Sequence, residues 1–187
     1  MKLEDLAVRV IEAAEAAGVE FMAVGAIAAG AYGVPRSTRD VDLLVSVKIP
    51  GNVAALIERL GTLVAFDEQV TFDTLTWGRR HVGKSNSSPP FKVALFETFE
   101  DPFVISEFSR RQEVIVPILN RTTWLPTPED VVVQKLRWGR NKDLDDARDV
   151  LAVQGPETLD MAYIKDWCSQ HGTTGRLNQA LAGIPPL

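Results

Sequence analysis

Cysteine is almost missing from this 187-residue chain: Cys168 stands alone, which excludes an internal disulfide and any cluster of thiolate metal ligands. That suits a reducing compartment. With no partner for nucleophilic work, Cys168 reads as a small buried hydrophobe. The two histidines, His81 and His171, are too isolated for a zinc site and read as surface or packing residues. No apolar run approaches the roughly 20 residues that cross a bilayer. The opening MKLEDLAVRV carries acids where a secretion signal has a basic stretch and an apolar run. The expectation is a cytoplasmic protein without a membrane partner. Basic charge is also short, 20 Lys and Arg against 25 Asp and Glu, for a net charge of −5. Wholesale nucleic-acid binding wants the opposite balance, so any such contact would be local. Internal repeats and low-complexity tracts are absent.

What is present is an alternation of helical and extended patterns. Leu3, Leu6, Ala7, Val10, Ile11, Ala14 and Ala17 form a helical stripe that Gly18 ends. Residues 19–24 read as a buried strand, and Gly25 opens a small-residue helix that Pro35 cannot continue. From Asp40 to Val47 the pattern has period two: Val41, Leu43, Val45 and Val47 face one way, Asp40, Asp42, Leu44 and Ser46 the other. Residues 53–60 read as helix, 63–96 as several short strands around a turn-rich loop at 84–90, and 114–124 as a strand pair. A short helix follows Asp101-Pro102. Thr127-Pro128-Glu129-Asp130 is a helix start, with a hydroxyl cap, a first-turn proline and acids at the positive end of the dipole. Further helices are expected near 128–139, 143–153 and 158–171. The order predicts an α+β (α/β) fold, a mixed sheet flanked by helices. A core over 1–126 would carry a helical C-terminal part over 127–187.

The chemistry gathers at Asp40 and Asp42. Aspartates at i and i+2 of a strand share a face, with Cα atoms roughly 7 Å apart. Carboxylates so close repel unless a cation lies between them, and Mg²⁺ binds through one or two carboxylates, water and substrate phosphates. The competing reading is a polar strand start whose aspartates cap turns. Upstream, Gly25 ends a strand and begins a helix, where a phosphate can approach backbone at a positive helix end. Gly30 and Gly33 read as packing and helix-ending residues.

The run VGAIAAGAYGVPRSTRDVDLLV resembles the signature of the nucleotidyltransferase superfamily, in which a strand-ending Gly-Gly or Gly-Ser leads through a helix to Asp-x-Asp. Tyr32-Gly33, Arg36 and Thr38 make it most similar to the branch of AbiEii-type toxins and related small bacterial proteins. Pro128 to Leu136 and Arg140 to Asp146 resemble that branch's later helical motifs. The resemblance implies metal ligation by Asp40 and Asp42 with Mg²⁺ or Mn²⁺, and a nucleoside triphosphate as substrate. Gly25 and Ala26 would contact phosphate, Lys135 the substrate, and Asp146 would belong to the same cleft. Arg36 and Thr38 join the candidate substrate contacts, and an RNA, protein or small-molecule hydroxyl would be the acceptor, with an antitoxin a further implied partner. Each has a plainer alternative: Lys135 as a solvated helix residue, Asp143, Asp145 and Asp146 as helix-start acids, Ser37 and Thr38 as turn residues, Arg36 and Arg39 as solvated charges. Arg79, Arg80, His81 and Lys84 are either a local basic lip or a solvated strand end. Trp77, Trp124, Trp138 and Trp167 read as core or interface.

Two departures from the family pattern stand out. Ala26 replaces the small polar residue of the first motif. The third carboxylate of many members, on a later strand, corresponds here to Ala94 within Lys92-Val93-Ala94-Leu95. That residue would otherwise serve as general base and metal ligand. Glu97, Asp101 and Asp146 are the candidate substitutes; without one, the chain would be a binding or interaction module.

Overall fold

A computed structural model describes residues 1–73, 75 and 78–185; Trp77 lies outside them. The elements run α1 (Leu3–Ala16), β1 (Phe21–Ala23), α2 (Gly25–Tyr32), β2 (Asp40–Val45), α3 (Asn52–Leu60), β3 (Val64–Phe66), β4 (Thr71–Phe72), β5 (Arg79–Ser85) and β6 (Lys92–Glu97). Then come α4 (Pro102–Ser109), β7 (Gln112–Val116), a 3₁₀ turn (Pro117–Leu119), β8 (Arg121–Leu125), α5 (Pro128–Trp138), α6 (Asn141–Gln154), α7 (Met161–Gln170) and α8 (Thr174–Ala182). The α+β expectation holds. Among the described residues the C-terminal helices are four: Gly172, left-handed at φ +67°, follows α7 where the expected 158–171 segment ends, and a separate α8 comes after it.

The main sheet has the order β1-β2-β6-β5-β3, with β4 on β5. Among the described residues only β2 and β6 run parallel; the other pairs are antiparallel, and β7 with β8 forms a separate ribbon. Alternation along β2 divides the sheet into two unlike faces. Val41, Leu43 and Val45, with Val93 and Leu95 of β6, enter the main core under α1 and α3. Leu44 turns the other way and joins Met22 with Val104 and Phe108 of α4 in a smaller cluster. Asp40 and Asp42 share that second face, as the period-two pattern predicts.

Helix α5 starts where the sequence signals it. The Thr127 hydroxyl accepts from the Asp130 amide at 3.3 Å, and Pro128 fills the first turn. α2 packs closely on α6: a Cβ on Gly33 would lie 2.9 Å from the Val150 backbone nitrogen, so glycine there is a packing requirement. The main core includes residues from α1 to α8, so the C-terminal helices share it.

Candidate active site

The acidic face of β2 forms the floor of an open cleft bounded by α2, α4, α5 and the start of α6. Asp40, Asp42, Gly25, Ala26, Arg36 and Thr38 all line it. So does Lys135, reaching in from α5.

Gly25 opens α2 with φ +68°, the left-handed region that favours glycine. Space is the second constraint: a Cβ there would lie 2.5 Å from Asp42 Oδ2. The strand-to-helix turn is thus pressed against the carboxylate. The Val24 amide donates to the Asp42 carbonyl at 3.0 Å, tying the turn to β2.

Burial pushes the Asp42 carboxyl up to about 6, and the charge of Asp40 adds to the rise. Lys92, Lys135 and Lys142 oppose that shift without cancelling it. Among the described residues none forms an ion pair with either carboxylate. The pair therefore faces the cleft with no direct ion-pair partner, its negative charge offset only at longer range by Lys92, Lys135, Lys142, Arg36 and Arg140. No group of three or more His, Cys, Asp or Glu among the described residues is arranged to hold a metal. An ion held here would have two carboxylates, Asp40 and Asp42, and would need phosphate or water for the rest of its shell, a donor set that fits Mg²⁺ or Mn²⁺.

The cations form a second layer. Lys135 is buried, and its ammonium donates to Asp146 at 2.7 Å and Asp143 at 3.4 Å. Arg36 grips the same Asp146 with two bonds of 2.7 and 2.9 Å. Burial alone would raise the Asp146 carboxyl, but hydrogen bonds and charge from Arg36 and Lys135 hold it below the usual range. Arg140 donates to Asp143 at 2.6 Å. Lys135 is thus not a solvated helix residue, and Asp143 and Asp146 are more than helix-start acids. Asp145 pairs with Arg148 at 3.0 Å on the outside of α6. Thr38 accepts from the Asp40 amide at 3.2 Å, a turn contact at the cleft edge.

Ala94 stands directly beside Asp42 on the parallel neighbour β6, fully buried. Of the substitutes, Glu97 is level with Val45 and bonds His81 at 2.8 Å. Asp101 caps α4, accepting from the Phe103 and Val104 amides at 3.0 Å, and pairs with Arg137. Neither occupies the position next to Asp42. Cys168 is buried, His171 packs between Phe103 and Trp167, and Trp138 lines the cleft.

Lys92, Lys142, Glu107 and Gln134 also line the cleft, and sequence reasoning assigned none of them to it. Lys92 was legible: two residues before Ala94, it is level with Asp40. Glu107 had one signal, a charge between the apolar Val104 and Phe108 of a short helix.

No protein-family model matches the sequence, and no curated protein does. Solved structures do. The solution structure of the antibiotic-resistance factor ANT(2'')-Ia superposes with a TM-score of 0.64 at 15% identity, over 94% of this chain and 96% of that one. The fold is that of the nucleotidyltransferases. ANT(2'')-Ia in complex with adenylyl-2''-tobramycin gives 0.62 at 14% identity, covering 92% and 98%. An antigenic nucleotidyltransferase-like protein from Paracoccidioides brasiliensis gives 0.54 at 17%, covering 99% and 94%.

Proposed function

We propose that this chain binds a nucleoside triphosphate with Mg²⁺ or Mn²⁺ and transfers its nucleotidyl group to a hydroxyl acceptor. One observation carries the reading: two carboxylates without an ion-pair partner share one cleft with a glycine-opened helix N-terminus that touches one of them. Asp40 and Asp42 would hold the metal, whose charge neutralises phosphate oxygens. The α2 amides at Gly25 and Ala26, with Lys135, Lys142 and Arg36 nearby, would place and neutralise the triphosphate. The acceptor oxygen then bonds to the α-phosphorus as the bridging bond to the β-phosphate breaks. Pyrophosphate leaves, and the acceptor proton passes to water.

Acceptor classes are a hydroxyl of RNA, protein or a small molecule, in a cytoplasmic setting. ANT(2'')-Ia bound to adenylyl-2''-tobramycin supports a small-molecule acceptor. A toxin of the AbiEii kind, paired with an antitoxin, stays a narrower form of the proposal, with RNA or protein as acceptor. Ala94 favours a second reading, a module that binds nucleotide and transfers it poorly or not at all. Incubation with α-³²P-labelled nucleotides and candidate acceptors separates the two. Label transfer lost in Asp42→Asn supports the enzyme; Mg-nucleotide binding without transfer supports the module. If nucleotide with Mg²⁺ or Mn²⁺ gives no thermal shift, both readings fail.

A further inference from the structure

We propose that the end of the cleft beyond Asp42 is a nucleobase subsite, in which Glu107 and Gln134 read a base bearing an exocyclic amino group. The inference rests on the nucleotide reading above and adds to it which part of the ligand lies where.

The cleft has a charged end where β2 begins and, beyond Asp42, an apolar wall that Arg79, Arg80 and Glu97 also border. Arg36, Lys142 and Asp40 gather where β2 begins, and Lys92 is level with Asp40. Four residues further along the strands, Leu44 and Phe96 are level with each other on β2 and β6, with Arg80 of β5 level with Phe96. Phe99 and Val104 continue the apolar wall. A polyphosphate suits the cationic end. The rest of a nucleotide is a sugar and a flat heterocycle, which aromatic and aliphatic walls accommodate by stacking and burial.

Besides the paired Arg79 and Glu97, two polar side chains from the helices, Glu107 and Gln134, line the cleft without a hydrogen-bond partner for an oxygen. Glu107 is only 4% exposed and lines the cleft, yet no described residue hydrogen-bonds its carboxyl. Buried polar groups are ordinarily paired, and each exception calls for a cause. The groups that face it are Asp130 and Arg137 of α5 and Asp101 at the α4 cap. Burial, reinforced by Asp130 and Asp101 and opposed by Arg137, lifts its titration well above the usual carboxylate range. A neutral carboxyl offers one donor and one acceptor in a plane, the pattern a heterocycle edge complements. Gln134 supplies the second orphan: its Oε1 is buried with no hydrogen-bond partner and lines the same cleft. An orphan acceptor selects a donor. A carboxyl alone pairs with either an amino or a keto edge, so Gln134 is what distinguishes them. In the orientation of this structure, with Oε1 the unpaired atom, its carboxamide favours the amino group, and the opposite rotamer would favour the keto one.

The test is calorimetric titration, with Mg²⁺ present, of ATP, of ITP (the 6-keto analogue lacking the amino group) and of inorganic tripolyphosphate. Wild type is expected to bind ATP about tenfold more tightly than ITP, the worth of one hydrogen bond to a buried group. Glu107→Leu should weaken ATP about tenfold and leave tripolyphosphate unchanged, while Glu107→Gln, which keeps a planar donor and acceptor, stays within about threefold of wild type. Gln134→Leu should erase the preference for ATP over ITP. Equal binding of ATP and ITP by wild type overturns the proposal, as does ATP affinity untouched in Glu107→Leu. Loss in Glu107→Gln equal to that in Glu107→Leu also overturns it, because a carboxylate charge would then be what binds, as for an amine-bearing acceptor. Tripolyphosphate binding as tight as ATP would leave the phosphate site standing and remove the base subsite. Failure of all three ligands to bind defeats the nucleotide reading and this inference together.

Discussion

Asp42 and Ala94 are register partners on parallel strands β2 and β6, side by side on one face of the sheet. A methyl group therefore stands where a carboxylate would complete a triad around the cleft floor. Ala94→Asp supplies it. Label transfer from α-³²P-nucleotide should rise by about 10²-fold if general-base assistance is what the site lacks. Without metal the variant should melt at a lower temperature, since a buried third acid joins a pair with no direct ion-pair partner; added Mg²⁺ should recover the difference. Unchanged transfer with unchanged metal response would show that the methyl is not the limiting feature.

Gly25→Ala meets two obstacles at once, the positive φ and the Asp42 carboxylate at 2.5 Å from the added carbon. Strain of this kind costs about 1–3 kcal/mol. Chemical denaturation should show that loss. Nucleotide affinity should fall as well, because relief of the clash moves the turn away from β2.

Lys135→Met leaves Asp143 and Asp146 short of a shared cation in a buried setting. Breaking a buried pair by removing one partner costs about 3 kcal/mol or more. Urea unfolding should register a loss of that order, along with weaker triphosphate binding. A variant as stable as wild type would mean that Arg36 and Arg140 suffice for the two acids.

Glu107 gives the pH dependence its sign. Its carboxyl titrates higher in the folded protein than in the unfolded chain. Below the ordinary carboxylate range both states are protonated and the group is neutral to stability. As pH rises through that range the unfolded chain releases its proton first, so stability declines. Glu107→Gln removes this slope. Its melting temperature should exceed that of wild type by a few degrees at pH 8 and by less at pH 5. A pH-independent difference would mean that packing, not ionisation, sets the cost.

The sequence was most readable where chemistry and period coincide. Asp40 and Asp42 alternate with Val41 and Leu43, so their common face follows from strand geometry. Gly25 was visible as the break between an apolar run and a small-residue helix, although its closeness to Asp42 was not. The Ala94 departure was readable because Lys92-Val93-Ala94-Leu95 keeps the rest of the strand pattern. Lys135, Asp143 and Asp146 could be named but not assembled: their meeting with Arg36 depends on how α2, α5 and α6 pack, which no local pattern encodes. Glu107 and Gln134 are 27 positions apart on different helices. Only the cleft between those helices gives them a common purpose.

Asp146 joins distant stretches of chain, holding Arg36 from the segment between α2 and β2 and Lys135 from α5. The electrostatic balance of the cleft is thus an interlocked property of both ends of the sequence. A fragment stopping before α5 would keep both strand aspartates and their turn, but it would lose Lys135 and Lys142 and leave Arg36 without its anchor. The helices after residue 127 are therefore part of the cleft's electrostatic wiring, and exchanging them for those of a structural neighbour would retune its charge without touching a single residue on the sheet.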